Sequence, residues 1–444
     1  MKSIKVRKVI RLARRLPGIA ILSVLIVVGA AAAQHILRPR NLPGADENDV
    51  AYPQRVSGAE AGRSGKIDPN ATSTQKSPAA KSGSATGAGQ QVPAAQAAPA
   101  APAASAPTTQ TGFGMADGSL PWRGAAAIEA ELKDMSALGM TWVRVDFHWR
   151  TIQPDNASKF NWTTYDAFAN AAKSHGIKVL GTLAYSPSWA RPSGCNEETC
   201  GPADANTFAS FAGKVAERYK SYGIHDWEIW NEPNLKTFWK PAPNAAAYTA
   251  MLRASYKAIK AVDPSAVVVS GGLGSSDELS GTIEQLGFLQ DMYGSGAAGT
   301  FDALGYHSYA YPATPLDVES WSGWSKMNDL RVSLRSIMIT NGEMNKQIWQ
   351  TEFGAPTGGP GYQATEAGYD PAAGDYYVSE GLQARMAEQA VAVTKTQSWA
   401  GPLFWYSYKD RSTDMSTSEN FYGLLRADGS RKPVFDALGA AIKR

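Results

Sequence analysis

Apolar and polar positions follow two alternating periods along most of this chain. Short apolar runs of strand character stand at Phe113–Met115, Thr141–Phe147, Ile177–Leu183, Asp226–Trp230, Ala266–Ser270, Phe301–Tyr306, Gln347–Thr351 and Pro402–Ser407. Between them apolar residues recur every three to four positions, over Ala125–Leu138, Tyr165–His175, Ala205–Tyr222, Ala245–Val262, Ile283–Tyr293, Ser325–Thr340, Val378–Thr396 and Lys432–Ile442. Eight strands alternating with eight helices predict an α/β fold, a (β/α)8 TIM barrel spanning residues 112–444. A doubly wound open sheet is the competing architecture, but no Gly-x-Gly-x-x-Gly opens a helix here.

The first 111 residues break this rhythm. Met1 to Arg15 holds seven Lys or Arg and no acid, and a mainly apolar run follows from Leu16 to Ala33. That pattern predicts a signal peptide or an N-terminal membrane anchor over residues 1–33, with the remainder exported. The apolar run falls just short of the ~20 residues a bilayer span needs, and Ala31-Ala32-Ala33 offers small residues for cleavage, so both readings stand. Residues 34–111 turn to Ala, Pro, Ser, Gly, Thr and Gln, too little apolar surface to offset chain entropy. They read as a disordered spacer.

Two strand-like runs end in chemistry. Trp227-Glu228-Ile229-Trp230-Asn231-Glu232-Pro233 closes the fourth strand, and Ile348-Trp349-Gln350-Thr351-Glu352-Phe353-Gly354 closes the seventh. In a (β/α)8 barrel the loops after the strands build the active site, so Glu232 and Glu352 are both placed there. A single such glutamate could merely pair with Arg144 in a buried network. Two together, one after Asn and one after Thr, are what acid/base and nucleophilic chemistry on a sugar requires. Other strand ends carry aromatic and polar groups: Arg144 to Trp149, Tyr185 to Trp189, His307 to Tyr309 and Trp405 to Asp410. Ring faces suit the C–H faces of pyranosides. Trp142, Trp227, Trp349 and Trp399 are expected in the core, whereas Trp405, Trp189 and Tyr309 are expected to face sugar.

These motifs resemble the large clan A of two-glutamate (β/α)8 retaining glycoside hydrolases, and the chain looks most like glycoside hydrolase family 39, which includes β-xylosidases and exopolysaccharide hydrolases. The likeness rests on Val143-Arg144-Val145-Asp146-Phe147, Trp149 with Ile152-Gln153-Pro154, Ile229 to Asn234, and Trp349 to Gly354. It implies Glu232 as general acid/base and Glu352 as nucleophile, with Asn231 on the sugar 2-hydroxyl. Arg144 and Tyr309 would orient the nucleophile with His307 beside them, and Trp405 would floor the sugar. Tyr185 and Trp189 are expected to contact substrate from their place at the end of the third strand.

Composition narrows the alternatives. The chain carries +3 overall, yet residues after 110 hold 29 Lys and Arg against 35 Asp and Glu. A mildly acidic domain argues against nucleic acid and is compatible with a neutral or cationic polysaccharide. Five histidines, of which only His148 and His307 fall at strand ends, are too few for a His-rich metal site, and no Gly-x-Ser-x-Gly elbow is present. No metal or other cofactor is required. Cys195 and Cys200, the only cysteines, share one loop and in an exported chain are expected to form a disulfide. The segment Ala355–Asp375, rich in Gly, Pro and Thr, is expected to be a long loop acting as a lid or substrate-binding wall.

The resulting expectation is an exported, monomeric retaining glycosidase acting on a β-linked polysaccharide or oligosaccharide, its only membrane contact the N-terminal segment. A non-catalytic carbohydrate-binding barrel and a cell-envelope transglycosylase are the alternatives.

Overall fold

The computed structural model describes residues 109–276 and 281–444. The N-terminal apolar segment and almost all of the spacer lie outside them. Among the described residues no helix is long and apolar enough to cross a membrane.

Ten strands occur in this part: β1 (Phe113–Ala116), β2 (Trp142–His148), β3 (Lys178–Ala184), β4 (Asp226–Asn231), β5 (Val267–Gly272), β6 (Ala303–His307), β7 (Gln347–Phe353), β8 (Tyr362–Ala364), β9 (Tyr376–Val378) and β10 (Ala400–Trp405). Eight of them close a parallel barrel in the order β1-β2-β3-β4-β5-β6-β7-β10, so the expected architecture holds. Each barrel strand is buried nearly throughout, which is why these strands read as continuous apolar runs rather than as alternating ones.

The helical layer comprises α1 (Gly124–Leu138), α2 (Trp149–Ile152), α3 (Thr163–Ser174), α4 (Ala205–Tyr219), α5 (Ala245–Val262), α6 (Gln285–Gly294), α7 (Gly323–Asn328), α8 (Leu334–Thr340), α9 (Glu380–Thr396) and α10 (Pro433–Lys443). Their starts are written locally. Asp204 accepts from the backbone of Asn206 and Thr207 to cap α4, Asn244 caps α5, and Ser379 caps α9. The single helix expected over Ser325–Thr340 is two, α7 and α8. Ser333 begins the second in a reciprocal cap with Ser336, a polar signal stronger than the apolar period running across it.

The floor of the barrel is apolar. Trp142, Trp349 and Phe404 meet edge to face at 5.4 and 6.2 Å beside Leu180, Val267 and Val269. Gly401 makes room for the Trp349 indole, since a Cβ there would lie 2.2 Å from the ring. Trp142, Trp227 and Trp349 are thus core as expected, and Trp399 is half-buried. The chain engages this end before Gly112, because Gln110 and Gln347 exchange hydrogen bonds of 2.9 and 3.0 Å. The domain contacts therefore begin slightly ahead of the boundary expected from composition.

The segment after β7 is not a structureless loop. β8 and β9 pair in parallel, with Tyr362 opposite Tyr376, and Val378 N donates to Pro356 O at 2.8 Å.

Candidate active site

Above the apolar floor the barrel interior becomes polar. Arg144, from the middle of β2, donates from Nε to Glu228 Oε2 (2.6 Å), from Nη1 to Glu352 Oε1 (2.9 Å) and from Nη2 to Asn231 Oδ1 (2.8 Å). One guanidinium thereby fixes three side chains from β4 and β7. Burial alone would make this cation easier to deprotonate, but the charges of Glu228, Glu352 and Asp146 outweigh that and hold it protonated, above the usual arginine range. Glu228 was not singled out in the sequence. It is fully buried and also accepts from Thr182 Oγ1 (2.7 Å) and Gly272 N (3.0 Å). The signal that could have found it is a lone carboxylate between Trp227 and Ile229, in the middle of an apolar strand.

Glu232 follows β4 directly. Its φ of +44° and the +74° of Trp230 are unusual for residues with a Cβ, a local strain of about 1–3 kcal/mol each that clusters at functional sites. The turn is held by Glu232 N donating to Gly272 O (3.0 Å) and by buried Asn234, which exchanges 2.8 and 2.9 Å bonds with Gly274. Across the barrel, β7 carries one extra residue relative to β6: Tyr306 pairs with Gln350, but His307 pairs with Glu352. Such a bulge re-aims the side chain beyond it.

The two carboxylates meet at His307. Its Nδ1 lies 2.8 Å from Glu232 Oε1 and 3.5 Å from Glu352 Oε2. One oxygen of each glutamate and a ring nitrogen of His307 fall within 4.8 Å of one another. Tyr309 OH donates to Glu352 Oε2 at 2.7 Å, so both oxygens of that carboxylate are held. These three groups are also the one set of metal-ligand types found together among the described residues. The Arg144 guanidinium on Glu352 Oε1 already supplies a cation to that carboxylate, which weighs against a metal ion beside it.

The structure brings together Arg144, Asn231, Glu232, His307, Tyr309 and Glu352. It does not expose every expected aromatic. Trp405 has no accessible surface; it packs edge to face on Phe353 and donates Nε1 to Tyr422 O (3.3 Å). The segment after β10 folds back over the strand end and covers the ring, so its placement as a sugar floor is corrected to a packed position. Tyr185 is likewise buried, against His148 and Trp230. Trp189 keeps a half-exposed indole and donates to Gln153 O (2.8 Å). Cys195 and Cys200 form the expected disulfide in the adjacent loop, where so short a ring contributes about 2 kcal/mol in the chain-entropy picture.

A closed parallel barrel with facing glutamates at the ends of its fourth and seventh strands defines the clan A class of glycoside hydrolases. The chain belongs to the cellulase family, glycosyl hydrolase family 5, whose model matches residues 103–382. That match ends inside α9, before the strand that closes the barrel. Among solved structures, a family 39 glycoside hydrolase from Bacteroides cellulosilyticus WH2 is similar at a TM-score of 0.57 and 19% identity, over 75% of this chain and 64% of that one. A GH5_18 protein from Streptomyces cattleya gives 0.54 at 17% identity, over 76% and 81%. At such identities these likenesses speak for the fold alone. A beta-xylosidase of Geobacillus stearothermophilus is 42% identical over 84 residues, 17% of this chain and 16% of that protein. The chain thus spans less than two thirds of the family 39 hydrolase and under a fifth of the beta-xylosidase.

Proposed function

We propose that this domain is a retaining glycosidase that cleaves β-linked O-glycosidic bonds, with Glu352 as nucleophile and Glu232 as general acid/base. The observation that carries this reading is the approach of the two carboxylates to within 4.8 Å at their nearest oxygens. Retaining sites hold the pair roughly 5–5.5 Å apart, whereas inverting sites leave roughly 6.5–9.5 Å for a water.

The assignment of roles follows from the partners. Glu352 receives Arg144 and Tyr309, one on each oxygen, an arrangement that favours the ionised form and points it for attack on the anomeric carbon. Glu232, directly after Asn231 at the end of the fourth strand, has His307 Nδ1 at 2.8 Å and suits the proton donor to the leaving oxygen. When the glycosyl–Glu352 ester forms, that negative charge disappears and Glu232, now ionised, draws a proton from water. His307 Nδ1, within reach of both carboxylates, offers its hydrogen bond to the one that is charged at each stage. Asn231 has its oxygen engaged by Arg144, which leaves its NH2 end as the donor for a sugar hydroxyl.

Family membership and the xylosidase-like segment support a neutral β-glycan as substrate, and the basic-then-apolar N-terminus supports export. The roles are tested with Glu232→Ala. Hydrolysis of substrates with poor leaving groups should fall about 10³-fold while activated aryl glycosides lose far less. Azide should restore turnover and yield a β-glycosyl azide. Equal losses for both leaving groups, with no azide adduct, would remove Glu232 from this role.

A further inference from the structure

The loops that leave β6 and β7 carry a surface that the reaction centre does not use. Leu316, Val318 and Trp321 on the first and Tyr362 on the second are exposed at 63, 64, 39 and 66%, half of the large apolar side chains exposed among the described residues. Trp321 meets Tyr369 edge to face at 6.5 Å, and Tyr369 meets Tyr376 at 5.7 Å. Tyr362 stands beside Tyr376 in the β8–β9 register. Three rings from the two loops thus meet in series, and Tyr362 extends the row beside Tyr376 through the strand pairing. The strand pairing and the Ser379 N to Ala364 O bond (2.7 Å) preform it on the barrel. Each Å2 of apolar surface left in water forgoes about 25 cal/mol, so a contiguous exposed patch of this kind marks a surface that something covers.

Position and charge say what covers it. Tyr309, which holds Glu352, and Trp321 belong to the same loop, and the second loop begins at Gly354, just past Glu352. Residues 308–322 and 354–378 contain Asp317, Glu319, Glu366, Asp370 and Asp375 and no Lys or Arg. Asp317 and Glu319 face Tyr369, whose hydroxyl is pushed up first by burial and then by these two charges. Arg385, on α9, donates to the Glu366 backbone oxygen (3.0 Å).

We propose that Trp321, Tyr362, Tyr369 and Tyr376 form a distal subsite for the glycan chain whose bond is broken at Glu232 and Glu352, and that it accepts neutral or amino sugars but not acidic ones. Flat ring faces cover the C–H faces of successive sugars, the loop carboxylates accept hydrogen bonds from hydroxyl or ammonium groups, and a carboxylated or sulfated sugar is repelled. The assignment rests on the glycosidase reading above.

The test measures binding by the full chain carrying Glu352→Gln, so that nothing is hydrolysed. Xylohexaose, cellohexaose and a chitosan hexamer are compared with their dimers, and a hyaluronan hexasaccharide serves as the acidic arm. The double change Trp321→Ala/Tyr362→Ala should raise Kd for the preferred hexamer at least ten-fold and leave its dimer unchanged, and Trp321→Phe should restore most of the loss. Hyaluronan should not bind. Unchanged hexamer affinity, equal losses for dimer and hexamer, or tight hyaluronan binding would each overturn the subsite. Failure of every neutral and amino hexamer to bind would overturn it too. The reaction-centre reading is judged apart from all of these, by covalent labelling of Glu352 with a monosaccharide fluoro-glycoside.

Discussion

Arg144 and Glu228 form an ion pair of 2.6 Å inside the barrel, both side chains almost wholly out of solvent. The same guanidinium serves Glu352, so Glu228 shares the charge that would otherwise fall on that carboxylate alone. Breaking such a pair from one side leaves a buried charge uncompensated, at a cost of about 3–5 kcal/mol. Glu228→Ala should therefore lower stability by about that amount in denaturant unfolding. Glu228→Gln should keep most of the fold but reduce kcat, because Arg144 would then bind Glu352 more tightly. A Glu228→Gln protein with wild-type kcat would contradict this sharing.

Gly272 sets the position of His307. A Cβ at this glycine would lie 2.3 Å from His307 Nε2 and 2.6 Å from Thr351 Oγ1, closer than real Cβ contacts. Gly272→Ala should push the imidazole away from the two glutamates. A shift of this size costs about 10²-fold in rate when it displaces a reacting group. The expected result is a kcat loss of ten-fold or more with KM little changed, and an unaltered kcat would show that His307 does not need this seat.

Asp226 begins β4 at the floor of the barrel, at the opposite end of the strand from Asn231 and Glu232. Burial pushes its carboxyl up to about 7; Lys178 and His225 oppose this and Asp263 adds to it. Because the folded value lies above the unfolded one, near 3.9, the native state holds a proton that the unfolded chain gives up. Its contribution to stability is complete below about pH 4 and is lost as pH rises through about 7. Asp226→Asn should remove this dependence. At pH 8 the variant should be more stable than the parent by on the order of 2 kcal/mol, the gap closing toward pH 4, as read by urea unfolding at each pH. A gap that stays constant with pH would contradict the burial argument.

The barrel and the six residues gathered at its centre were legible because they sit where strand runs end, and strand ends are written as abrupt polar breaks. Glu352 and Glu232 announce themselves in that way. Glu228 does not, since nothing in a local window says that Arg144, more than eighty residues earlier, will stand opposite it. Trp405 and Tyr185 misled for the complementary reason. A ring at a strand end can turn outward or inward, and the residues after β10 that cover Trp405 are brought there by contacts such as Leu424 N to Ser407 O, invisible to periodicity. The break between α7 and α8 and the small β8–β9 sheet were missed because single caps and three-residue strands are too short to register against a longer apolar rhythm.

Covalent capture bears most directly on the chemistry. A 2-deoxy-2-fluoro glycoside with an activated leaving group, incubated with the protein and followed by peptide mass spectrometry, should leave one sugar on the peptide containing Thr351-Glu352-Phe353, and Glu352→Gln should take up none. Labelling of Glu232 instead, or turnover of an accepted substrate by Glu352→Gln at the parent rate, would contradict the account.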